Sequence, residues 1–335
     1  MRLLRHPHGF KVSAALAGFS LIELMISLTI GLVISIAAMS AYLGSSYANR
    51  VSDAQSRMNE DAQAALNVIA QQIRMAGTNP ARSNRDTAFK RNPVYSTYPL
   101  GGSTATYTTT PGTYTVSSFS VRGCDGTFSS ITSTTNLDSF GNCGTSTLPD
   151  SIGVSYEGDE YNTVPSGSSA GDCLANAVPT ITATFSLGTS TTATFWVVDN
   201  RFYVANTSAG VPNLYCKGNG NASGQPLVEN VEDMQFLYGT VSAGTTATTA
   251  TVAGYLTAAE VITETSLAAL ASDAARWAKV VTVRICVLVR SENPVLSDAA
   301  SGQYYNCDGT LDTSKTDLRM RRAYTTTVSL RNRRS

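Results

Sequence analysis

One long apolar run near the N-terminus constrains this chain more than any other feature. It extends from Phe19 to Leu43 and contains a single charged residue, Glu23. As an α-helix it would be roughly 37 Å long, which exceeds the ~30 Å hydrocarbon core of a bilayer. The residues ahead of it include Arg2, Arg5 and Lys11 but no acid, and the positive-inside rule keeps such a basic flank in the cytoplasm. The sequence therefore predicts one membrane-spanning helix, with everything after it outside the cytoplasm.

Two common kinds of segment compete for this run. A secretory signal peptide has a shorter apolar core followed by a small-residue cleavage site, and the residues at 43–46 (Leu-Gly-Ser-Ser) make a poor one. An ordinary signal anchor fits the length but leaves Glu23 unexplained. A carboxylate inside a membrane helix costs roughly 3 kcal/mol or more, so such a residue is by default functional.

The residues Gly18-Phe19-Ser20-Leu21-Ile22-Glu23 resemble the processing signal of type IV prepilins and type II secretion pseudopilins. The resemblance implies that a prepilin peptidase cuts between Gly18 and Phe19 and then N-methylates Phe19. It also implies that Glu23 serves subunit assembly by pairing with the N-terminal amine of a neighbouring subunit, which would give the buried charge a partner. Residues 1–18 are then a leader, and residues 19–43 form the transmembrane half of a long helix.

Histidine chemistry is absent from the expected mature protein. The two histidines, His6 and His8, both lie in the leader, so Ser-His-Asp triads, Cys-His pairs and HExxH metal sites are excluded. Cleavage also removes three of the 24 Lys and Arg residues, leaving 21 against 24 acids. No basic field calls for nucleic acid. We expect no catalytic residue, no metal, no cofactor and no small-molecule substrate, and the charge balance argues against DNA binding.

Six cysteines follow the apolar run: Cys124, Cys143, Cys173, Cys216, Cys286 and Cys307. An even number in an oxidising compartment indicates disulfides. The sequence does not choose among the possible pairings, and we favour the sequential one, 124–143, 173–216 and 286–307. A zinc site is the alternative, and the absence of any CxxC pair argues against it.

The helix is predicted to continue from the apolar run to about Gly77, since no proline occurs between Pro7 and Pro80. Residues 44–77 form its amphipathic half. The apolar side chains there recur at spacings of three and four: Val51, Ala54, Met58, Ala62, Ala65, Ile69 and Ile73. We expect this stripe to pack on the protein's own β-sheet, and in part on neighbouring helices in a filament.

Residues 78–335 are predicted to form a β-rich head outside the cytoplasm. Residues 78–112 are loop-like, and strands are expected from about Thr113, with a hairpin turn at Asp199-Asn200. Helical spacing occurs over Ser266–Trp277. The strongest strand is Val280–Arg290, with Val281, Val283, Ile285, Val287 and Val289 on one face, and residues 324–330 alternate likewise beside it. The fold class is α+β and pilin-like, with the long N-terminal helix packed on an antiparallel sheet.

Three C-terminal blocks resemble the type IV pilus assembly protein W (PilW) family of minor pilins: residues 226–239, 283–291 and 322–332. The resemblance implies a structural subunit, not an enzyme, that helps initiate pilus assembly and so supports twitching, adhesion or DNA uptake. It implies as partners the other minor and major pilins, the prepilin peptidase, inner-membrane lipid and the pilus assembly platform. The protein would sit in the inner membrane with a periplasmic head, and in the filament or at its tip.

Two alternatives stay open. A type II secretion pseudopilin shares the whole N-terminal signal, although the C-terminal blocks favour the pilus. A membrane-anchored periplasmic enzyme or binding module needs a catalytic or ligand-binding constellation, and the sequence offers none of the usual motifs. It would also leave Glu23 unexplained.

Charged clusters in the head offer weaker candidates. The acids Glu229, Glu232 and Asp233 lack regular calcium-ligand spacing, and we interpret them as a solvated turn leading into a strand. Loop acids are the interpretation for Asp308, Asp312 and Asp317. The C-terminal arginines lack interleaved aromatic platforms for nucleic acid and are interpreted as a solvated edge that discourages sheet-to-sheet pairing: Arg319, Arg321, Arg322, Arg331, Arg333 and Arg334.

Overall fold

The structure of the chain is a computed structural model. It describes residues 18, 20–78, 106–109, 119–129, 131, 137, 143, 149–186, 190–220, 223–242, 251–270, 272–330 and 332. The chain divides into two compact units, one up to Ser52 and one from Asp53 onward. The leader ahead of Gly18, residue Phe19 and most of the predicted loop at 78–112 lie outside the described residues.

The first unit contains the opening part of helix α1 (Leu21–Met75). Its most apolar 18-residue window has a mean hydropathy of 2.3, and none of that window is buried. The hydroxyls of the run bond to carbonyls of the preceding turn, as in Thr29 Oγ1 to Ile26 O (2.8 Å) and Ser35 Oγ to Gly31 O (2.8 Å). Because these polar groups are satisfied within the helix, the segment meets the main requirement for crossing hydrocarbon.

The second unit contains the rest of α1, which buries one stripe. The buried side chains are Met58, Ala62, Ala65, Ile69, Ala70 and Ile73. Five of the seven apolar residues named from the sequence are therefore in the core, while Val51 and Ala54 are half-buried. Gly77 adopts φ +69°, a conformation that favours glycine and ends helices. The α1 helix thus stops two residues before the predicted end.

Antiparallel strands form the body of the second unit. The strands are β1 (Thr106–Thr109), β2 (Val121–Cys124), β3 (Ser151–Gly158), β4 (Thr180–Ser186), β5 (Ser190–Asn206), β6 (Pro212–Lys217), β7 (Gln225–Glu229), β8 (Val231–Thr240), β9 (Gly254–Leu256), β10 (Val280–Arg290), β11 (Tyr304–Tyr305), β12 (Leu311–Asp312) and β13 (Arg321–Ser329). Two short helices, α2 (Ala258–Thr263) and α3 (Asp273–Trp277), lie between β9 and β10.

The strands belong to three sheets. In the larger sheet the order is β1-β4-β5-β3-β2, and β6 pairs with both β5 and β7. The second sheet has the order β13-β10-β8-β9, and β11 pairs with β12. Apolar side chains from α1 and from both larger sheets form one core cluster. The α+β, pilin-like fold class is confirmed.

The strongest predicted strand has the predicted bounds. In β10 the side chains of Val283, Ile285, Val287 and Val289 are fully buried. Val281, which was predicted on the same face, is half-buried, whereas Val280 is fully buried. The register of β10 against β8 shifts between Val280 and Thr282. This irregularity displaces the alternation of buried and exposed side chains at the start of the strand.

The predicted hairpin at Asp199-Asn200 is wrong. Both residues lie inside the continuous strand β5, paired with Ser155 and Val154 of β3. Asp199 is buried beside Arg201, with its Oδ1 3.5 Å from the guanidinium Nε. Asn200 bonds to Gln72 Oε1 and to the Cys173 N–H. Because such contacts and the pairing with β3 hold both residues in an extended conformation, turn propensity does not decide the local structure. The chain reverses instead between β4 and β5.

The helical spacing over Ser266–Trp277 gives two pieces. A single 3-10 turn covers Thr265–Leu267. The five residues of α3 follow, where the Ser272 side chain caps the helix by accepting from the Ala275 N–H. Trp277 is buried and packs edge-on against Tyr238, with ring centroids 4.7 Å apart.

Three disulfides join the cysteines in the sequential pairing: Cys124–Cys143, Cys173–Cys216 and Cys286–Cys307. Their Cα–Cα distances of 5.3, 6.6 and 5.7 Å suit a disulfide. They close loops with sequence separations of 19, 43 and 21 residues, and each typically contributes ~2–4 kcal/mol of stability. The cysteines thus serve to hold connecting segments to the sheets.

Candidate functional site

The candidate assembly site lies at the first turn of α1, around Glu23. The backbone N–H of Ser20 donates to Glu23 Oε2 (3.1 Å), and the N–H of Glu23 donates to Ser20 Oγ (3.2 Å). This reciprocal pair is a capping box, which satisfies two amide groups that the helix itself leaves unpaired. A negative charge there is also favourable to the helix dipole. Ser20 is the N-cap, which explains why α1 begins at Leu21 rather than at Phe19.

This cap was not predicted from the sequence. Its signal was present in the sequence, since Ser20 and Glu23 have the Ser-x-x-Glu spacing of a capping box. The cap uses one carboxylate oxygen, Oε2. Among the residues that the structure describes, none donates a hydrogen bond to the other oxygen, Oε1. Glu23 is therefore oriented by the helix, and its Oε1 can still accept a hydrogen bond.

The residues beside the expected cleavage site are only partly described. Among the described residues, none has an atom within 4 Å of the position that a Cβ of Gly18 would occupy. Phe19, the expected site of cleavage and N-methylation, lies outside the described residues. Cleavage between Gly18 and Phe19 therefore stays a prediction.

A polar network fixes the end of α1 on the head. Gln72 Oε1 accepts from Tyr156 Oη (3.0 Å) and from Asn200 Nδ2 (2.8 Å). Burial raises the pKa of Tyr156 well above its usual value, so this hydroxyl remains a donor. Beyond the helix, the Gly77 N–H donates to Ser155 O (2.9 Å). These bonds set the position of the helix along the sheet, because the Ala-rich stripe alone is less specific.

A second contact fixes α1 against β13 and the last described residue. Tyr324 Oη donates to Asn59 Oδ1 (2.6 Å). Asn332 Nδ2 donates to Arg74 O (2.8 Å) and contacts Thr78 Oγ1 (2.5 Å). Tyr324 and Asn332 belong to the block of residues 322–332 that resembles the PilW family, and they thus hold the helix in place.

The acids Glu229, Glu232 and Asp233 do not form the predicted solvated turn. The turn residue between β7 and β8 is Asn230, with φ +60°, and Glu232 and Asp233 lie within β8. Glu232 Oε1 accepts from Arg321 Nη2 at 3.2 Å. Burial raises the pKa of the Asp233 carboxyl. No group of three possible metal ligands occurs among the described residues.

The C-terminal acids and arginines largely pair with each other. Arg321 contacts Asp317 through two bonds of 2.7 Å, which lower the pKa of that carboxyl to about 2. Asp312 accepts from Tyr304 Oη (2.8 Å). Asp308 and Asp317 lie in loops, as predicted, and Asp308 bonds within its own turn to Thr310. The prediction is wrong for Asp312, which lies in β12. Arg331, Arg333 and Arg334 lie outside the described residues.

Sequence reasoning also missed a buried carboxyl, Asp150, for which no pattern existed. Its oxygens accept from the Gly126 N–H (3.0 Å) and the Phe236 N–H (2.8 Å), and it thereby links the two larger sheets. Burial raises its pKa to about 7 despite these two bonds, which act in the opposite direction. Its role is structural, since both oxygens are occupied by backbone amides.

Comparison with known proteins identifies one family. The family model of Type IV Pilus-assembly protein W matches residues 201–332, which include all three C-terminal blocks named above. No curated protein matches the chain significantly, and neither does any solved structure. The match implies involvement in type IV pilus assembly. It supports the assignment of this chain to the Type IV Pilus-assembly protein W family, as the sequence predicted.

Proposed function

We propose that this protein is a minor pilin that helps to initiate assembly of a type IV pilus together with other minor pilins. The observation that carries the proposal is the opening half of α1. It is apolar on all sides, it is unburied, and its single carboxylate lies in the first turn. The family match adds the link to pilus assembly.

The exposed apolar surface of α1 requires a nonaqueous partner. Fourteen large apolar side chains between Leu21 and Leu43 are exposed. Burying each is worth about 1.5–3 kcal/mol, so together they represent on the order of 20–40 kcal/mol. Inner-membrane lipid supplies that environment before assembly, and neighbouring helices supply it within a filament.

The carboxylate supplies the specificity of assembly in this proposal. Cleavage after Gly18 by the prepilin peptidase leaves a leader of residues 1–18 and a mature chain that begins at N-methylated Phe19. The capping box holds Glu23 through Oε2, so Oε1 accepts the N-terminal ammonium of a neighbouring subunit. Such a pair is favourable where water is excluded, because each charge alone would be costly there.

In this proposal each segment of the chain has its own role. Residues 19–43 anchor the protein in the inner membrane and then enter the filament. Residues 44–77 hold the helix on the head, and residues 78–335 form a periplasmic head that meets other minor and major pilins. The assembly platform acts on the membrane-embedded half. The family is one of structural assembly proteins, and the protein has no catalytic part in this proposal.

Three variants separate the charge of Glu23 from its capping role. Glu23→Gln keeps an acceptor for Ser20 but removes the charge, Glu23→Ala removes both, and Ser20→Ala removes the cap but keeps the charge. We expect the Glu23 variants to insert normally and to lose most piliation in cells that depend on this protein. We expect Ser20→Ala to retain most of it, since losing a cap costs only about 1 kcal/mol. Unchanged piliation in Glu23→Gln would overturn the proposal.

Mass spectrometry of the membrane-bound protein tests processing separately. The expected N-terminus is methylated Phe19. An intact Met1, or a start near Ser45, would show that the peptidase does not act at Gly18. Secretion and piliation measured in a strain lacking the gene distinguish the pilus role from that of a type II secretion pseudopilin.

A further inference from the structure

The terminal strand of the second sheet, β13, has an unpaired side. It is nine residues long and pairs with β10 in an unbroken antiparallel register from Arg321 to Ser329. Among the residues that the structure describes, none pairs with its other side. The opposite edge of the same sheet, β9, is only three residues long. The second sheet therefore ends in one long edge and one short edge.

Two hydrogen bonds show which backbone groups of β13 point outward. Leu330 N–H donates to Val281 O, and Ser291 N–H donates to Met320 O, both at 2.8 Å. Residues two apart along a strand direct their backbone groups to the same side. The even-numbered residues from 320 to 330 therefore face β10, and the N–H and C=O groups of the odd-numbered residues face away from the sheet. We call the outward groups of Ala323, Thr325, Thr327 and Ser329 the free edge.

The free edge lacks the usual protection against pairing. Exposed edge strands are typically blunted by proline, lysine or bulges, and β7 at an edge of the larger sheet contains Pro226. Residues 321–329 contain neither proline nor lysine, and their register has no shift. Thr325, Thr327 and Ser329 are exposed. Their side chains are small or β-branched, and such residues favour strand pairing.

Two of the arginines predicted to protect this edge, Arg319 and Arg321, pair with acids instead. Arg321 is buried between Glu232 and Asp317, and Arg319 lies 3.8 Å from Asp317. Of the two arginines in β13, Arg322 is exposed, and its guanidinium carbon lies 5.6 Å from the centroid of the Tyr324 ring. The interpretation as solvated edge charges is therefore wrong for Arg319 and Arg321, whereas Arg322 is exposed as predicted.

Charge determines which strand fits the free edge. Arg322 on β13 and Arg284 on β10, opposite Thr327, are exposed and positively charged. Two copies paired edge to edge would bring these positive side chains together, and β10 and β13 contain no acidic residue to offset them. Like charges so placed oppose pairing. A strand flanked by acidic side chains is complementary instead.

We propose that the free edge of β13 accepts an extended strand from a different pilin-like subunit, one that carries acidic side chains beside that strand. Backbone hydrogen bonds supply the affinity, and the arginines supply the choice of partner. The inference rests on the proposed function, because it takes the partner from the same assembly. It does not depend on Glu23, so variants of β13 and variants of Glu23 test the two proposals separately.

The first test removes one outward donor. Thr325→Pro deletes an N–H that points away from β10, so the pairing with β10 loses no hydrogen bond, and proline is tolerated on edge strands. Thr326→Val is the matched control, since the backbone groups of Thr326 face β10. The full-length variants in detergent micelles are titrated with each of the other full-length pilin-like subunits of the same cell. We expect Thr325→Pro to weaken binding of one subunit at least ~10-fold, Thr326→Val to bind it as the wild type does, and added salt to weaken it.

The second test uses hydrogen exchange of the wild-type chain and does not depend on the folding of a variant. In the protein alone, the outward amides of Ala323, Thr325, Thr327 and Ser329 should exchange fast, while the even-numbered amides are protected. Addition of the partner subunit should protect the outward set. Protection of that set in the protein alone would indicate pairing with a second copy. That result, exchange unchanged by every subunit, or equal binding by Thr325→Pro would each overturn the proposal, even where Glu23 variants abolish piliation.

Discussion

The two halves of α1 use their apolar side chains in opposite ways. From Leu21 to Leu43 the large apolar side chains are exposed on every side of the helix. From Asp53 to Met75 the apolar side chains form one stripe, which is buried in the protein's own core. A helix that is apolar all round needs a membrane or other helices, whereas a stripe needs one packed surface. The pattern of apolar residues therefore separates assembly from folding within a single helix.

The same substitution made in both halves of α1 tests most strongly whether they contribute differently to the stability of the head. Ile69→Ala removes a fully buried side chain and should lower the free energy of unfolding of the head by about 2–5 kcal/mol. Ile30→Ala removes a side chain that is 55% exposed and should leave that free energy unchanged. Chemical denaturation of the full chain in micelles measures both. Equal destabilisation would contradict the division.

Overpacking tests how closely the stripe approaches the sheets. Ala65 is fully buried, while its neighbour Ala64 is exposed. Ala65→Leu should therefore destabilise the head by about 1–3 kcal/mol, and Ala64→Leu should have little effect. The same denaturation experiment compares them. A tolerated Ala65→Leu would mean that the helix packs more loosely than the account requires.

The polar network at Gln72 should contribute less than the apolar stripe. Gln72→Leu leaves Tyr156 Oη and Asn200 Nδ2 without their common acceptor, and such a loss costs about 1–3 kcal/mol. Tyr156→Phe removes one donor but leaves Gln72 bonded to Asn200, so it should cost less. Thermal unfolding of both variants ranks them, and the reverse order would contradict this assignment.

The smallest expected effect is a pH dependence in the second half of α1. Burial, followed by the neighbouring acid Glu229, raises the pKa of Asp61 above its usual 3.8. Because the folded pKa exceeds the unfolded one, this group's contribution is fully present below about pH 4 and is lost as pH rises through the folded pKa. Asp61 is partly exposed, so we expect Asp61→Asn to stabilise the head at pH 7 by only a few tenths of a kcal/mol. Unfolding curves at pH 4 and pH 7 should show no such gain at the lower pH.

The regular spacing of apolar residues predicted much of this fold, because few competing effects act on segments with such regular spacing. The α1 stripe, the bounds of β10 and its pairing with residues 321–329 all follow from regular spacing of apolar residues. The hairpin prediction at Asp199-Asn200 failed for a tertiary reason, since both residues pair with β3 and Asn200 bonds to Gln72 of α1. No local pattern could have shown that, nor that Asp150 links two sheets.

The candidate site divides in the same way. The position of Glu23 in an apolar run was readable, and so was its capping partner Ser20, although only the structure drew attention to the cap. The pairing of Arg321 with Glu232 and Asp317 joins residues far apart in sequence. Only the fold reveals such pairs, and this pairing removes Arg321 from the solvated charges that the sequence predicted along β13.

The central claim is that Glu23 meets the N-terminal amine of another subunit where water is excluded. Carbodiimide treatment of assembled pili couples a carboxylate only to an amine in direct contact, and mass spectrometry then identifies the joined peptides. The account predicts a cross-link between Glu23 and the first residue of a neighbouring subunit, absent in Glu23→Gln. If Glu23 is found unmodified, or carries only the carbodiimide reagent with no second chain attached, the proposal is contradicted.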